Sequence, residues 1–210
     1  MDYLKISPGT NNIYCFVYLT NTPKNNEIMK PTEDLMYEHK AIKVILNVMT
    51  NISSSIKDKK VFYTNDVEKI VDFLTIYVDK CHRSKEEEVF YPALSLSNSP
   101  IENIGMIINE HSMGKGYLAE ISCCVENCKI GSSFSGERIA DCMANYVQLV
   151  QEHIQKEENE YFPMANKALS GEAQKEISKQ FKQINDEFVG LDIHTRYDEL
   201  LKSMENKYLN

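Results

Sequence analysis

The chain has 210 residues, 42% of them hydrophobic and 26% charged, with eight Gly and six Pro. That length fits one ordinary domain or one domain with an appendage, and the sparse Gly and Pro exclude collagen-like and low-complexity architectures in favour of a helix-rich protein. A formal net charge of −8 with no Lys/Arg cluster argues against nucleic acid and against anionic lipid as partners.

Residues 1–28 differ from the rest. They carry Ser7-Pro8-Gly9, Asn11-Asn12, a β-prone stretch Ile13 to Thr20 and a second turn-rich segment around Pro23, the composition of a polar extension with one strand. Met29-Lys30-Pro31-Thr32 would itself make a protein start, so this extension reads either as an add-on to the domain that follows or as the result of a misplaced start codon. Its apolar run Ile13 to Leu19 has seven residues, against about 20 for a membrane span, and it lacks the basic leader and cleavage site of a secretory signal. The expectation is a cytoplasmic protein with no membrane association. Its six cysteines (Cys15, Cys81, Cys123, Cys124, Cys128 and Cys142) then read as reduced thiols.

From Met29 onward the pattern is helical. Thr32 is the expected N-cap of a first helix with Glu33 and Asp34 in its first turn, followed by a polar loop from Asn51 to Lys60. Thr64 or Asn65 caps a second helix with a seam of Leu74, Val78, His82 and Glu86, which Pro92 bends or ends. A capping box from Ser99 to Glu102 opens a third helix, whose seam runs Ile104, Ile107, His111, Gly114, Leu118, Ile121, Val125 and Cys128. After a Gly-Ser loop at 131–136 a fourth helix carries Ile139, Met143, Tyr146, Val150, His153 and Glu157, with Pro163 bending or ending it. Ser170 caps a fifth helix to about Phe188, and a sixth covers about Ile193 to Tyr208. The fold class is all-α: an up-down-up-down four-helix bundle over residues 29–169, with additional C-terminal helices over 170–210.

Six polar residues interrupt seams that should be apolar: His39, His82, Glu86, His111, His153 and Glu157. Burying an imidazole or carboxylate costs several kcal/mol unless it is satisfied, so these residues require partners. Each His-x-x-x-Glu pair sits on one helix face, one turn apart. The pairs lie in a repeat, His82-x-x-Lys85-Glu86-Glu87 with Phe90-Tyr91-Pro92 against His153-x-x-Lys156-Glu157-Glu158 with Tyr161-Phe162-Pro163. The lone histidines obey it too, His39 preceding His82 by 43 residues and His111 preceding His153 by 42. Two helical hairpins related by a pseudo-two-fold axis follow, an arrangement suited to two metal ions. Four imidazoles supply two to each ion and two bridging carboxylates one oxygen to each. An oxo or hydroxo bridge would add a fifth ligand, leaving one position open in a six-coordinate ion. Mixed imidazole and carboxylate donors favour iron over manganese or zinc, so the expected cofactor is a pair of non-haem iron ions.

These motifs resemble the hemerythrin-like (HHE cation-binding) family over about Met29 to Lys167, through His39, His82-x-x-x-Glu86, His111-x-x-Gly114 and His153-x-x-x-Glu157. The resemblance implies a four-helix bundle with a di-iron centre that reacts with dioxygen or nitric oxide. Oxygen-carrying members use five His, one Glu and one Asp, and this chain has Lys115 and Glu158 where their third-helix His and final Asp would stand. Its four His and two Glu are similar to the subgroup typified by iron-sulfur repair proteins. Those carry a cysteine-containing domain before the bundle, where residues 1–29 hold Cys15 alone.

The resulting expectation is a non-haem di-iron protein that binds or reacts with O2, NO or peroxide in oxygen or nitrosative stress defence or sensing, served by an unidentified electron donor. Iron storage and donation to an acceptor for cluster repair is a second reading, and a metal-stapled structural bundle a third. Around the site, Glu87, Glu88, Glu158 and Glu160 read as a solvated face, and Phe90, Tyr91, Tyr161 and Phe162 as core plugs. Gly114 either permits close packing or keeps the open position reachable. The Cys123, Cys124 and Cys128 group and Cys81 read as packing, and His194 lies outside the repeat.

Overall fold

The computed structural model describes residues 29–59, 62–97, 104–131, 135–188 and 191–210. The strand expected at Ile13 to Thr20 and the capping box at Ser99 to Glu102 lie outside the described residues, among which every regular element is helical. The first bundle helix is α1 (Pro31–Lys57). The second runs without a break from α2 (Thr64–Phe73) through π-helical turns at Leu74–His82 (π1) and Lys85–Phe90 (π2) into α3 (Tyr91–Ser95). The third is α4 (Ile104–Lys129). The fourth is α5 (Ser135–Lys156), continued by a π turn at Glu157–Tyr161 (π3) into α6 (Phe162–Ala168). Two further helices, α7 (Gly171–Phe188) and α8 (Leu191–Tyr208), complete an all-α, hemerythrin-type bundle with C-terminal additions.

Several boundaries differ from expectation for identifiable reasons. Pro31 occupies the start of α1, where its fixed φ suits a first turn, and the Lys30 amide donates to Glu33 at 3.2 Å. Thr32 is therefore already helical, and its buried hydroxyl donates to Asn166 of α6 at 3.0 Å. The stretch from Asn51 to Lys57 is helix rather than loop because Ile52, Ser53 and Ile56 are buried. Ser53 Oγ donates to the Ala140 carbonyl at 2.8 Å, so tertiary contact overrides local polarity. No side chain caps α2, which begins after Tyr63. Pro92 and Pro163 end neither helix: each falls in the first turn of the α segment that resumes after π2 or π3. Ser170 does cap α7, accepting from the Ala173 amide at 3.2 Å.

α1 packs along α5 and α8, α4 along α5 and α2, and α7 against π1 and π2. Two apolar clusters result. The larger includes Ile42, Ile45, Phe73, Tyr77, Leu118, Tyr146, Val150, Tyr197 and Leu201. The smaller includes Leu35, Phe90, Tyr91, Ile107, Phe162, Ile177 and Phe181. Each bundle helix passes from one cluster to the other, and the six polar seam residues occupy the crossing. Both C-terminal helices contribute to these cores, so they are packed onto the bundle.

Candidate metal centre

The four histidines and two glutamates converge in the middle of the bundle, all buried. Two groups form: His39, His82, Glu86 and Glu157, and Glu86, His111, His153 and Glu157, with the donor atoms of each group within 4.8 Å of one another. Both carboxylates belong to both groups. Glu86 lies 3.1 Å from His82 Nε2 through Oε1 and 3.4 Å from His111 Nε2 through Oε2. Glu157 lies 3.2 Å from His153 Nε2 through Oε1 and 3.2 Å from His39 Nε2 through Oε2. The π turns coincide with this region, π1 ending on His82, π2 carrying Glu86 and π3 opening on Glu157, in keeping with the frequency of such turns at functional sites.

All four imidazoles are oriented in the same way. His39 Nδ1 donates to Glu158 at 3.0 Å, His82 Nδ1 to Glu38 at 2.8 Å, His111 Nδ1 to Glu87 at 2.6 Å and His153 Nδ1 to Glu110 at 2.9 Å. An ionised carboxylate only accepts, so each Nδ1 carries the proton and each Nε2 faces the centre, as in carboxylate-oriented metal-binding histidines. A third layer supports the second: Lys43 donates to Glu158 at 2.8 Å, Lys85 to Glu38 at 2.6 Å, and Lys156 to Glu110. The orientation obeys the repeat. In each half the lone histidine is preceded by the glutamate that holds the histidine of the same hairpin's second helix. The glutamate after each central carboxylate holds the lone histidine of the other hairpin.

Glu87 and Glu158 are thus histidine acceptors rather than a solvated face. Glu38 and Glu110 were not singled out from sequence, although a Glu-His dipeptide at both lone histidines is a legible signal. Tyr91 is more than a core plug, because its hydroxyl donates to Glu157 Oε1. Gly114 makes room for the buried Arg83 guanidinium: a Cβ there would meet Nη2 at 2.7 Å. Arg83 Nη1 donates to the His111 carbonyl at 3.1 Å and pairs with Asp79. His194 belongs to neither group. Cys81 is buried, with Sγ 3.1 Å from Asn185 Oδ1.

Without a cation the centre is under-satisfied. His39 Nε2, both oxygens of Glu86 and Oε2 of Glu157 are buried with no hydrogen-bonding partner among the described residues, a costly condition in an apolar interior. The charges adjust accordingly. Burial opposes charging His82 and His153, but Glu86 with Glu38, and Glu157 with Glu110, outweigh it and raise their pKa values to about 10 and about 9. Burial would raise the Glu157 pKa, yet His153 and His39 hold it well below the usual carboxylate range. Glu38, buried beside Lys85 and His82, is likewise lowered to about 2. Four inward nitrogens and four carboxylate oxygens, one of which also accepts from Tyr91, fit two cations of intermediate hardness.

No curated protein and no solved structure matches the chain. A family model described as Hemerythrin HHE cation binding domain matches residues 30–165. That match contains all six central residues and their four carboxylate acceptors, and the chain belongs to the hemerythrin HHE cation-binding domain family.

Proposed function

We propose that His39 and His82 hold one iron ion and His111 and His153 a second, with Glu86 and Glu157 bridging them, and that this pair takes up O2, NO or peroxide in stress defence or sensing. The observation that carries the reading is the sharing of Glu86 and Glu157 between two four-residue groups, which gives each ion two imidazoles and two carboxylate oxygens. On an ion that prefers five or six ligands, such a set would leave positions for a small ligand. Bound iron supplies the redox electrons and the Lewis acidity.

The protein does the rest. Glu38, Glu87, Glu110 and Glu158 keep the imidazoles in one tautomer with Nε2 aimed inward. The two flanking apolar clusters exclude bulk water and lower the local dielectric. The Tyr91 hydroxyl donates a hydrogen bond to Glu157 Oε1.

Metal analysis of protein purified without oxygen tests the reading, with visible absorption recorded before and after air and nitric oxide. The expected result is about two irons per chain and new charge-transfer bands on exposure. Zinc, or iron with no spectral response, overturns gas reactivity. Iron that passes readily to a competing apo-acceptor favours donation instead.

A further inference from the structure

The internal repeat exchanges two aromatics beside the site, Phe90-Tyr91 standing against Tyr161-Phe162, and the second of these positions touches the central carboxylate. Nine residues after His82 stands Tyr91, and nine residues after His153 stands Phe162. The Tyr91 hydroxyl, fully buried, donates to Glu157 Oε1. Phe162 has nothing to donate and stacks on the His39 ring, with centroids 5.6 Å apart and planes at 17°. Glu86, the symmetry mate of Glu157, has no hydroxyl donor: its Oε1 and Oε2 face His82 Nε2 and His111 Nε2 at 3.1 and 3.4 Å.

The consequence falls on one side. Glu157 Oε1 is the oxygen next to His153, and Oε2 the one next to His39. A hydrogen bond to a carboxylate oxygen draws negative charge from it and makes it a weaker metal donor, so Tyr91 taxes the His111/His153 position and spares the His39/His82 position.

A second asymmetry acts in the same direction. The Lys85–Glu38–His82 chain is sealed: Lys85 is 0% exposed, bonds Asp34 and Glu38 at 3.0 and 2.6 Å, and lies 5.3 Å from the Phe181 ring of α7. Its counterpart Lys156 has a side chain 36% exposed, above Glu110 and His153. α7 therefore seals the outer support of His82, while the supports of the other three histidines, Glu158 with Lys43, Glu87, and Glu110 with Lys156, reach the surface, so a fully buried support belongs to the His39/His82 position alone.

We infer that the two positions are inequivalent: His39/His82 binds a divalent transition-metal ion tightly, and His111/His153 is the exchangeable position that fills last and empties first. Tyr91 and the covering of Lys85 by α7 are the causes. The inference rests on the proposed two-ion reading.

The test is anaerobic calorimetric titration of the full-length metal-free protein with Fe(II), alongside Mössbauer spectra at half loading. Wild type should bind in two steps separated by about tenfold, the worth of one charge-assisted hydrogen bond. His153→Ala should keep the tight step alone and His82→Ala the weak step alone, while Tyr91→Phe should tighten the second step several-fold and leave the first unchanged. A single class of sites in wild type, equal effects of His82→Ala and His153→Ala, or a Tyr91→Phe titration identical to wild type overturns the inference while leaving the two-ion reading intact. No iron binding at all removes that reading and the inference with it. Circular dichroism checks each variant's fold; should Tyr91→Phe not fold, the two histidine variants and the half-loaded spectrum decide, two doublets of about three to one in area being expected against two of equal area.

Discussion

Gly114 lies against the guanidinium of Arg83, so closely that a methyl group on the glycine would sit 2.7 Å from Nη2. Arg83 cannot swing away freely, since it is 4% exposed and held by Asp79 and the His111 carbonyl. Gly114→Ala gains up to about 1 kcal/mol of helix propensity and incurs about 1–3 kcal/mol of overpacking. The expected net loss is about 1 kcal/mol in urea denaturation, the overpacking winning. In an Arg83→Ala background the same change should stabilise, and a double-mutant cycle measures the difference.

Glu38 and Glu110 play the same part for their histidines but differ in what they leave behind. Removing Glu38 strands the fully buried Lys85, whose other partner is Asp34, and deprives His82 Nδ1 of its acceptor. Glu38→Ala should cost about 3–5 kcal/mol in denaturant unfolding, as when one partner of a buried ion pair is lost. Glu110→Ala should cost about 1 kcal/mol or less, because Lys156 reaches water. Both should lower metal affinity by about 10–100-fold. Equal stability losses would contradict the sealing of the Lys85 side.

The raised pKa values of His82 and His153, about 10 and about 9, mean that the metal-free protein holds both as imidazolium at neutral pH. Unfolded, a histidine titrates near 6.5. Their stabilisation is present in full below that value and is lost as pH rises through about 9 to 10. Thermal melts of metal-free protein should therefore fall between pH 7 and pH 10. Metal binding at pH 7 must displace the Nε2 protons, and titrations in buffers of different ionisation enthalpy should report release of about two protons.

Asp198 on α8 has Oδ1 buried with no hydrogen-bonding partner among the described residues, and burial raises its carboxyl to about 6. The folded state therefore prefers it neutral. Stability from this group is present below its ordinary pKa near 4 and is lost as pH rises through about 6. Asp198→Asn should raise the melting temperature at pH 7 and leave it unchanged at pH 4.

The all-α bundle and the six central residues were legible because a helix seam repeats every three to four positions. A histidine or glutamate inside that seam is conspicuous, and a second copy of His-x-x-Lys-Glu-Glu at matched offsets from a lone histidine leaves little room for coincidence. Glu38, Glu87, Glu110 and Glu158 were harder to read: they lie one residue from a seam position, where a charged side chain in a helix ordinarily faces water. Their role depends on the neighbouring helix standing close enough to bring an imidazole Nδ1 within 3.0 Å.

The same limit explains Ser53, whose polarity predicts a loop until the Ala140 carbonyl is brought to it, and Tyr91, an aromatic among aromatics until its hydroxyl meets Glu157. The sequence by itself determined the periodicity, the two-fold repeat and the donor chemistry, because these are local properties of spacing and side-chain type. Only the tertiary structure decided which glutamate orients which histidine, that Arg83 fills the space left by Gly114, and that α7 covers Lys85 while Lys156 stays open. Those outcomes depend on contacts between residues distant in the chain, and pseudo-symmetric sequence halves do not specify which half a later helix will cover.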